Sequence, residues 1–201
     1  EEEKELLRKT IRLLPAIQFA GADGFDFSRC YPQPEFNQRS ILWDLNYFKY
    51  CFLKATGMEF QEDKLEDDFQ KMSDVLLRSS SATFMYRDFQ SRNVMIKDGE
   101  PWFIDFQGGR KGPFYYDIAS FLWQAKAKYP DSLRKELLQE YMELFANTSR
   151  LTNPIFIANF VTLFFSVRCK CWELMVSVAI SKRNRILSKV FPMPSRTCVN
   201  C

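Results

Sequence analysis

Three oxygen-bearing side chains stand close together in the middle of this 201-residue chain. The segment Tyr86-Arg87-Asp88-Phe89-Gln90-Ser91-Arg92-Asn93 carries an Asp and, five positions on, an Asn; Asp105 follows 12 residues later in Phe103-Ile104-Asp105-Phe106. Between them, Asn93–Ile96 and Pro101–Phe106 are β-rich runs separated by Lys97-Asp98-Gly99-Glu100. Asp-Gly between two such runs predicts a hairpin, and paired hairpin strands bring Asn93 and Asp105 near one another. An Asp and an Asn offering oxygens to one point suit Mg²⁺, which takes few protein ligands when phosphates complete its shell. Asp88 then stands where a carboxylate can serve as a base. One carboxylate to orient a hydroxyl, with an Asn and an Asp on a metal bound to nucleotide phosphates, is the layout of phosphoryl transfer. Each of the three is, taken singly, an ordinary turn residue; the spacing of all three carries the inference.

The elements that must position these residues are mostly helical. Leu6, Leu7, Ile11 and Leu14 recur at helical spacing behind an acidic start. Residues 21–39, rich in Gly, Pro, Asp and Asn, predict a loop. Ser40 is the expected cap of a helix over Ile41–Thr56 that stops at Gly57. Its rings Trp43, Tyr47, Phe48, Tyr50 and Phe52 read mainly as core, with room for one or two at a pocket. Residues 62–78 predict a helix with Leu65, Phe69, Met72 and Leu76 on one face and the acids of Glu62–Asp68 as a solvated face. Thr83–Tyr86 is a short strand candidate. Gly108, Gly109, Gly112 and Pro113 predict a loop, and Tyr116–Lys128 and Ser132–Ala146 two further helices. The expected architecture is mainly α with a small central β-hairpin.

Composition narrows the chemistry. There is no histidine, which excludes a Ser-His-Asp triad, a Cys-His dyad and every His-ligated metal site. The formal net charge of +3 is too small to argue for nucleic acid, and no nucleic-acid partner is expected. The longest apolar stretch, Ile155–Val167, falls short of the about 20 residues of a membrane span and reads as a buried helix, so no membrane partner is expected. Six irregularly spaced cysteines without a signal peptide fit a reduced, cytoplasmic protein. The chain starts at Glu1 rather than Met, and an upstream piece is expected.

The stretch YRDFQSRNVMI…PWFIDFQGGRKGPFYYDIASFLWQA, within a pattern that spans residues 84–125, resembles the aminoglycoside phosphotransferase and choline kinase family, which has the protein-kinase-like fold. It is most similar to the bacterial sugar phosphotransferase branch, with WDLNYFKYCF a weaker match in the helical lead-in. The resemblance implies that Asp88 is the catalytic base and that Asn93 and Asp105 bind Mg²⁺. Asp117, in the GP-x-x-x-D-x-A pattern, is implied to brace the catalytic loop by accepting backbone hydrogen bonds, and Arg87 to be a structural ion-pair partner. The family usually has His where Tyr86 stands, a position whose hydrogen bond a Tyr hydroxyl can also make. The residues before Asp88 are too few, and too helical, for the family's phosphate-covering lobe. The chain is therefore expected to be the C-terminal lobe of a protein-kinase-like phosphotransferase, inactive by itself. In the whole protein the expected reaction moves a phosphoryl group from ATP, with Mg²⁺, to a hydroxyl of a small molecule, a sugar or amino sugar. The alternatives are a non-catalytic kinase-like binding or regulatory domain, and a truncated product without function.

The chain changes character near residue 147. Residues 1–146 hold 20 basic and 24 acidic residues, net −4; residues 147–201 hold 8 basic and 1 acidic, net +7, with four of the six cysteines and none of the seven glycines. The expected division is 1–150, the lobe, and 151–201, an aberrant tail. Read one base earlier, the codons spanning Trp172–Glu173 and Met175–Val176 must both encode Gly. Permissible synonymous choices then turn Arg168–Ser181 into a sequence similar to the end of the same bacterial branch. A shifted frame accounts for the tail on this basis. The rival accounts are a zinc site of Cys169, Cys171, Cys198 and Cys201, and a contact of Lys182, Arg183, Arg185 and Lys189 with nucleic acid or acidic lipid; that basic cluster reads instead as a solvated face. The expectation is that these cysteines bind no metal and that residues 184–201 pack poorly.

Overall fold

A computed structural model of the chain describes residues 2–77, 83–124 and 126–148. Every expectation about the tail lies outside the described residues. Helix α1 spans Glu2–Ala20, α2 Gln38–Phe48 and α3 Glu62–Leu77; strands β1 Thr83–Met85, β2 Val94–Lys97, β3 Glu100–Phe103 and β4 Arg110–Gly112 follow, then α4 Tyr115–Leu122 and α5 Asp131–Thr148. The strands form two antiparallel pairs, β1 with β4 and β2 with β3. The second pair is the hairpin expected from Asp98-Gly99, with Val94 opposite Phe103 and Lys97 opposite Glu100. Asp98 (φ 53°) and Gly99 (φ 74°) occupy the left-handed backbone that a tight hairpin turn requires.

Helix α4 is the centre of the lobe. All eight of its residues are buried, and Ile118, Phe121 and Leu122 meet Ile11 and Leu14 of α1, Ile41 and Leu45 of α2, and Leu137 and Tyr141 of α5 in one core. Each such aliphatic or aromatic side chain contributes about 1.5–3 kcal/mol by leaving water. Ion pairs join α1 to α5 along their exposed edges, Lys4 with Glu136 at 2.8 Å, Arg8 with Glu136, and Arg12 with Glu140. Such surface pairs are worth about 0–1 kcal/mol each; they fix how the two helices lie side by side. Lys9 reaches the hairpin turn, donating to the carbonyl of Gly99 at 3.0 Å and pairing with Glu100.

The structure differs from expectation at several element ends. Helix α1 continues through Pro15 to Ala20, because packing against α5 outweighs the one backbone donor that proline lacks. The cap of α2 is Asn37, whose side chain accepts from the Ser40 amide at 3.1 Å, so the helix starts before Ser40. Helix α2 gives way to a π-helical turn over Lys49–Lys54. The Gly-rich loop after Phe106 contains β4, which no propensity marks; β1 supplies the register, with Phe84 opposite Lys111. A Cβ at Gly112 would stand 2.7 Å from Met85 Sδ and 2.9 Å from Met85 Cβ, so this close pairing needs glycine.

The acids of α3 are not wholly a solvated face. Lys49, buried in the π-turn, pairs with Glu62 at 2.7 Å and Glu66 at 3.0 Å, and Lys54 pairs with Glu62 at 2.6 Å. Hydrogen bonds from Lys49 and then Lys54 hold the Glu62 carboxyl down to about 2. A carboxylate held below its ordinary 4.5 adds stability above that pH and loses it as the pH falls toward about 2. Glu62→Gln is therefore expected to flatten the loss of thermal stability between pH 4.5 and about 2. Melting followed by circular dichroism across that window checks this, and an unchanged slope would refute it.

Candidate active site

The loop from Tyr86 to Asn93 joins β1 to β2 and is held from three sides. Below it lies Asp117, wholly buried in the first turn of α4. Its Oδ2 accepts from the Tyr86 amide and its Oδ1 from the Arg87 amide, both at 2.9 Å. A carboxylate near a helix N-terminus also meets a favourable backbone dipole. Gln18 of α1 donates to Asp117 Oδ2 at 3.2 Å and to the Phe114 carbonyl at 2.6 Å, and the Tyr141 hydroxyl of α5 donates to Gln18 Oε1 at 2.7 Å. At the loop's far side, Ser91 bonds Gln124 Oε1 through its amide at 3.1 Å and its hydroxyl at 2.6 Å. In the middle, the buried Phe89 ring is wedged among Tyr86, Phe103 and Phe121, with ring centres 5.6, 5.4 and 5.2 Å away.

These supports hold two residues in left-handed backbone, Arg87 at φ 73° and Asp105 at φ 70°. Such a conformation costs a non-glycine residue about 1–3 kcal/mol and persists where surrounding bonds over-determine it. For Arg87 the bond is its own amide on Asp117. For Asp105 it lies one residue earlier, where the Tyr86 hydroxyl donates to the Ile104 carbonyl and the Ile104 amide donates to the Asn93 carbonyl at 3.0 Å. Strand β3 therefore ends at Phe103, short of the expected Phe106, because a left-handed Asp105 leaves the extended ladder. Burial, followed by the fields of Asp105, Asp117 and Asp88, pushes the Tyr86 hydroxyl up to about 12, so it serves as a neutral donor.

Asp88 and Asn93 touch directly. Asn93 Nδ2 donates to the Asp88 carbonyl at 2.8 Å and to Asp88 Oδ2 at 3.2 Å. With its nitrogen so engaged, the largely buried Asn93 side chain has its amide oxygen left for another partner. The Asp105 carboxylate is exposed and makes no hydrogen bond or ion pair with the described residues. One amide oxygen and one free carboxylate, brought to the same end of the hairpin, are hard oxygen donors of the kind Mg²⁺ accepts. Among the described residues no group of three or more His, Cys, Asp or Glu is placed to hold a metal alone, so such a pair needs oxygens from a ligand. Arg87 turns away from this end toward α2, with Nη2 3.6 Å from Asp44 Oδ1. Arg110, also buried, donates to the Gly108 carbonyl at 3.1 Å.

Sequence reasoning missed Gln18, Gln124, Tyr141 and Arg92, which Nη2 brings to 2.7 Å from Asp88 Oδ2. Gln18 had a signal: it falls in phase with Ile11 and Leu14 on the buried face of α1, where a polar residue needs a reason.

The fold is that of a kinase-like phosphotransferase. A choline kinase from Cryptosporidium parvum Iowa II superposes with a TM-score of 0.53 at 12% identity, over 95% of this chain and 68% of that one. The chain belongs to the Phosphotransferase enzyme family, whose sequence pattern matches residues 1–151. It is similar to an N-acetylmuramate/N-acetylglucosamine kinase of Neisseria meningitidis serogroup B, 31% identical over 70% of this chain. It is also similar to the kinase of the same name from Pseudomonas aeruginosa, 26% identical over 54% of this chain. The match spans 41% of the Neisseria protein's length and 33% of the Pseudomonas one's.

Asp117→Ala would leave the amides of Tyr86 and Arg87 and the Gln18 side chain short of an acceptor, each at about 1–3 kcal/mol when buried. The expected result is a fall in Tm of about 10 °C, measured by calorimetry. A fall under about 2 °C would remove Asp117 from the bracing role.

Proposed function

We propose that residues 1–150 are the C-terminal lobe of an ATP-dependent phosphotransferase that phosphorylates a hydroxyl of an amino sugar, and that the nucleotide-covering lobe belongs to a segment outside this chain. The observation that carries this is the meeting of Asp88, Asn93 and the end of β3 before Asp105 in one loop-and-hairpin corner. Asp88 is the base for the acceptor hydroxyl. Asn93 and Asp105 would hold Mg²⁺, which when bound neutralises charge on the nucleotide phosphates. Asp117 braces the loop and Arg87 pairs with Asp44. The choice of an amino sugar over other acceptors rests on the names of the Neisseria and Pseudomonas relatives.

The hairpin supports a second lobe. Met95 and Trp102, paired across the hairpin, and Ile104 and Phe106, on either side of Asp105 in the chain, are all exposed, apolar surface of the kind a nucleotide base and its covering lobe would bury. The irregular cysteine spacing leads us to place the reaction in the cytoplasm. Among the described residues no helix is long and apolar enough to cross a membrane. The test uses the complete gene product with Mg-ATP and N-acetylglucosamine, N-acetylmuramate, choline or kanamycin as acceptor. Phosphorylated amino sugar with stoichiometric ADP is expected. Transfer to choline or kanamycin alone, or to none of the four, would overturn this assignment.

A further inference from the structure

We propose that Arg92 is a positioning residue that orients the base, fixing Asp88 through Oδ2 so that Oδ1 is the oxygen that receives the proton; this rests on the phosphotransferase function above. The two carboxylate oxygens of Asp88 have different surroundings. Oδ2 accepts from Arg92 Nη2 at 2.7 Å and from Asn93 Nδ2 at 3.2 Å. Oδ1 accepts no hydrogen bond from the described residues, and the Asp88 side chain keeps 31% of its surface open to solvent. A carboxylate with one oxygen doubly engaged and the other open has a fixed plane and one site for an incoming hydroxyl proton.

The backbone on both sides of Arg92 is itself held. Ser91, just before it, is tied to Gln124 through both its amide and its hydroxyl. Asn93, just after it, is largely buried and donates to the Asp88 carbonyl. The guanidinium therefore approaches Asp88 from a set direction and engages it through a single nitrogen, Nη2, on Oδ2, a charge-assisted bond that leaves Oδ1 open. Its side chain is 54% exposed, so the pair adds little to folding and its value lies in geometry. In the reaction the acceptor oxygen forms its bond to the γ-phosphorus while the bond from phosphorus to the bridging oxygen of ATP breaks. The electron pair leaves with ADP, and the hydroxyl proton passes to Asp88 Oδ1.

The test is steady-state kinetics of the complete gene product with Mg-ATP and N-acetylglucosamine, comparing wild type, Arg92→Ala, Arg92→Lys, Asp88→Asn and Asp88→Asn with Arg92→Ala. Arg92→Ala is expected to lower kcat about 10- to 100-fold, as for a misplaced catalytic group, with both KM values within about twofold and Tm within about 2 °C. Arg92→Lys and added guanidinium ion are expected to restore part of the loss. On the Asp88→Asn background, Arg92→Ala is expected to cost nothing further, because its effect passes through Asp88. An Arg92→Ala enzyme with wild-type kcat, or an equal loss on both backgrounds, would overturn the role of Arg92 alone. An inactive wild type would overturn the parent function and this proposal with it.

Discussion

Asp88→Asn in the complete protein is expected to lower kcat by roughly 10²–10⁴-fold, the range for a lost general acid–base group. The substitution is close to isosteric. Its amide oxygen can still accept from Arg92 and its backbone carbonyl from Asn93, whose bonds to Asp88 are 2.7 and 2.8 Å. The loop is thus expected to keep its shape, while an amide cannot take up the acceptor's proton. KM for the acceptor should change little, and circular dichroism should be unchanged. Turnover within a few-fold of wild type would take the base role away from Asp88.

Asp105→Ala is expected to abolish turnover, through loss of the carboxylate that would hold the metal. Its effect on folding should be small, because the Asp105 side chain is exposed and bonds to none of the described residues. The remaining cost comes from the backbone, where φ is 70° and alanine is disfavoured by about 1–2 kcal/mol. Asparagine tolerates that conformation, so Asp105→Asn separates the charge from the backbone. It should melt like wild type and still require far more Mg²⁺ for any activity. If Tm fell by well over 10 °C in both variants, Asp105 would be a structural residue and its metal role would fail.

Much of this corner was legible from residue order. The Asp-Gly turn fixed the hairpin, and local spacing placed Asp88, Asn93 and Asp105 at its open end, because all three lie within 18 residues of one another. What escaped was long in range. Gln18 and Asp117 are 99 positions apart, and Ser91 and Gln124 are 33 apart; no window along the chain relates them. Strand β4 escaped because three residues in a Gly-rich segment become a strand only when β1 lies beside them. Lys49 escaped because an amphipathic pattern does not say that a lysine will be drawn inward by two acids on the next helix.

The chain of contacts under Asp117 bears on how far this lobe can be cut down. Gln18 and Tyr141 are 123 positions apart, yet they share the hydrogen bond that completes Asp117's surroundings. A shortened version that begins after Gln18 or stops before Tyr141 removes a partner from the group on which Arg87 and Tyr86 rest. Splitting the gene for complementation is accordingly best done at the hairpin turn Asp98-Gly99, which is exposed, with both halves supplied. Trimming either terminus past those two residues should disarm the loop even where the remaining helices still form.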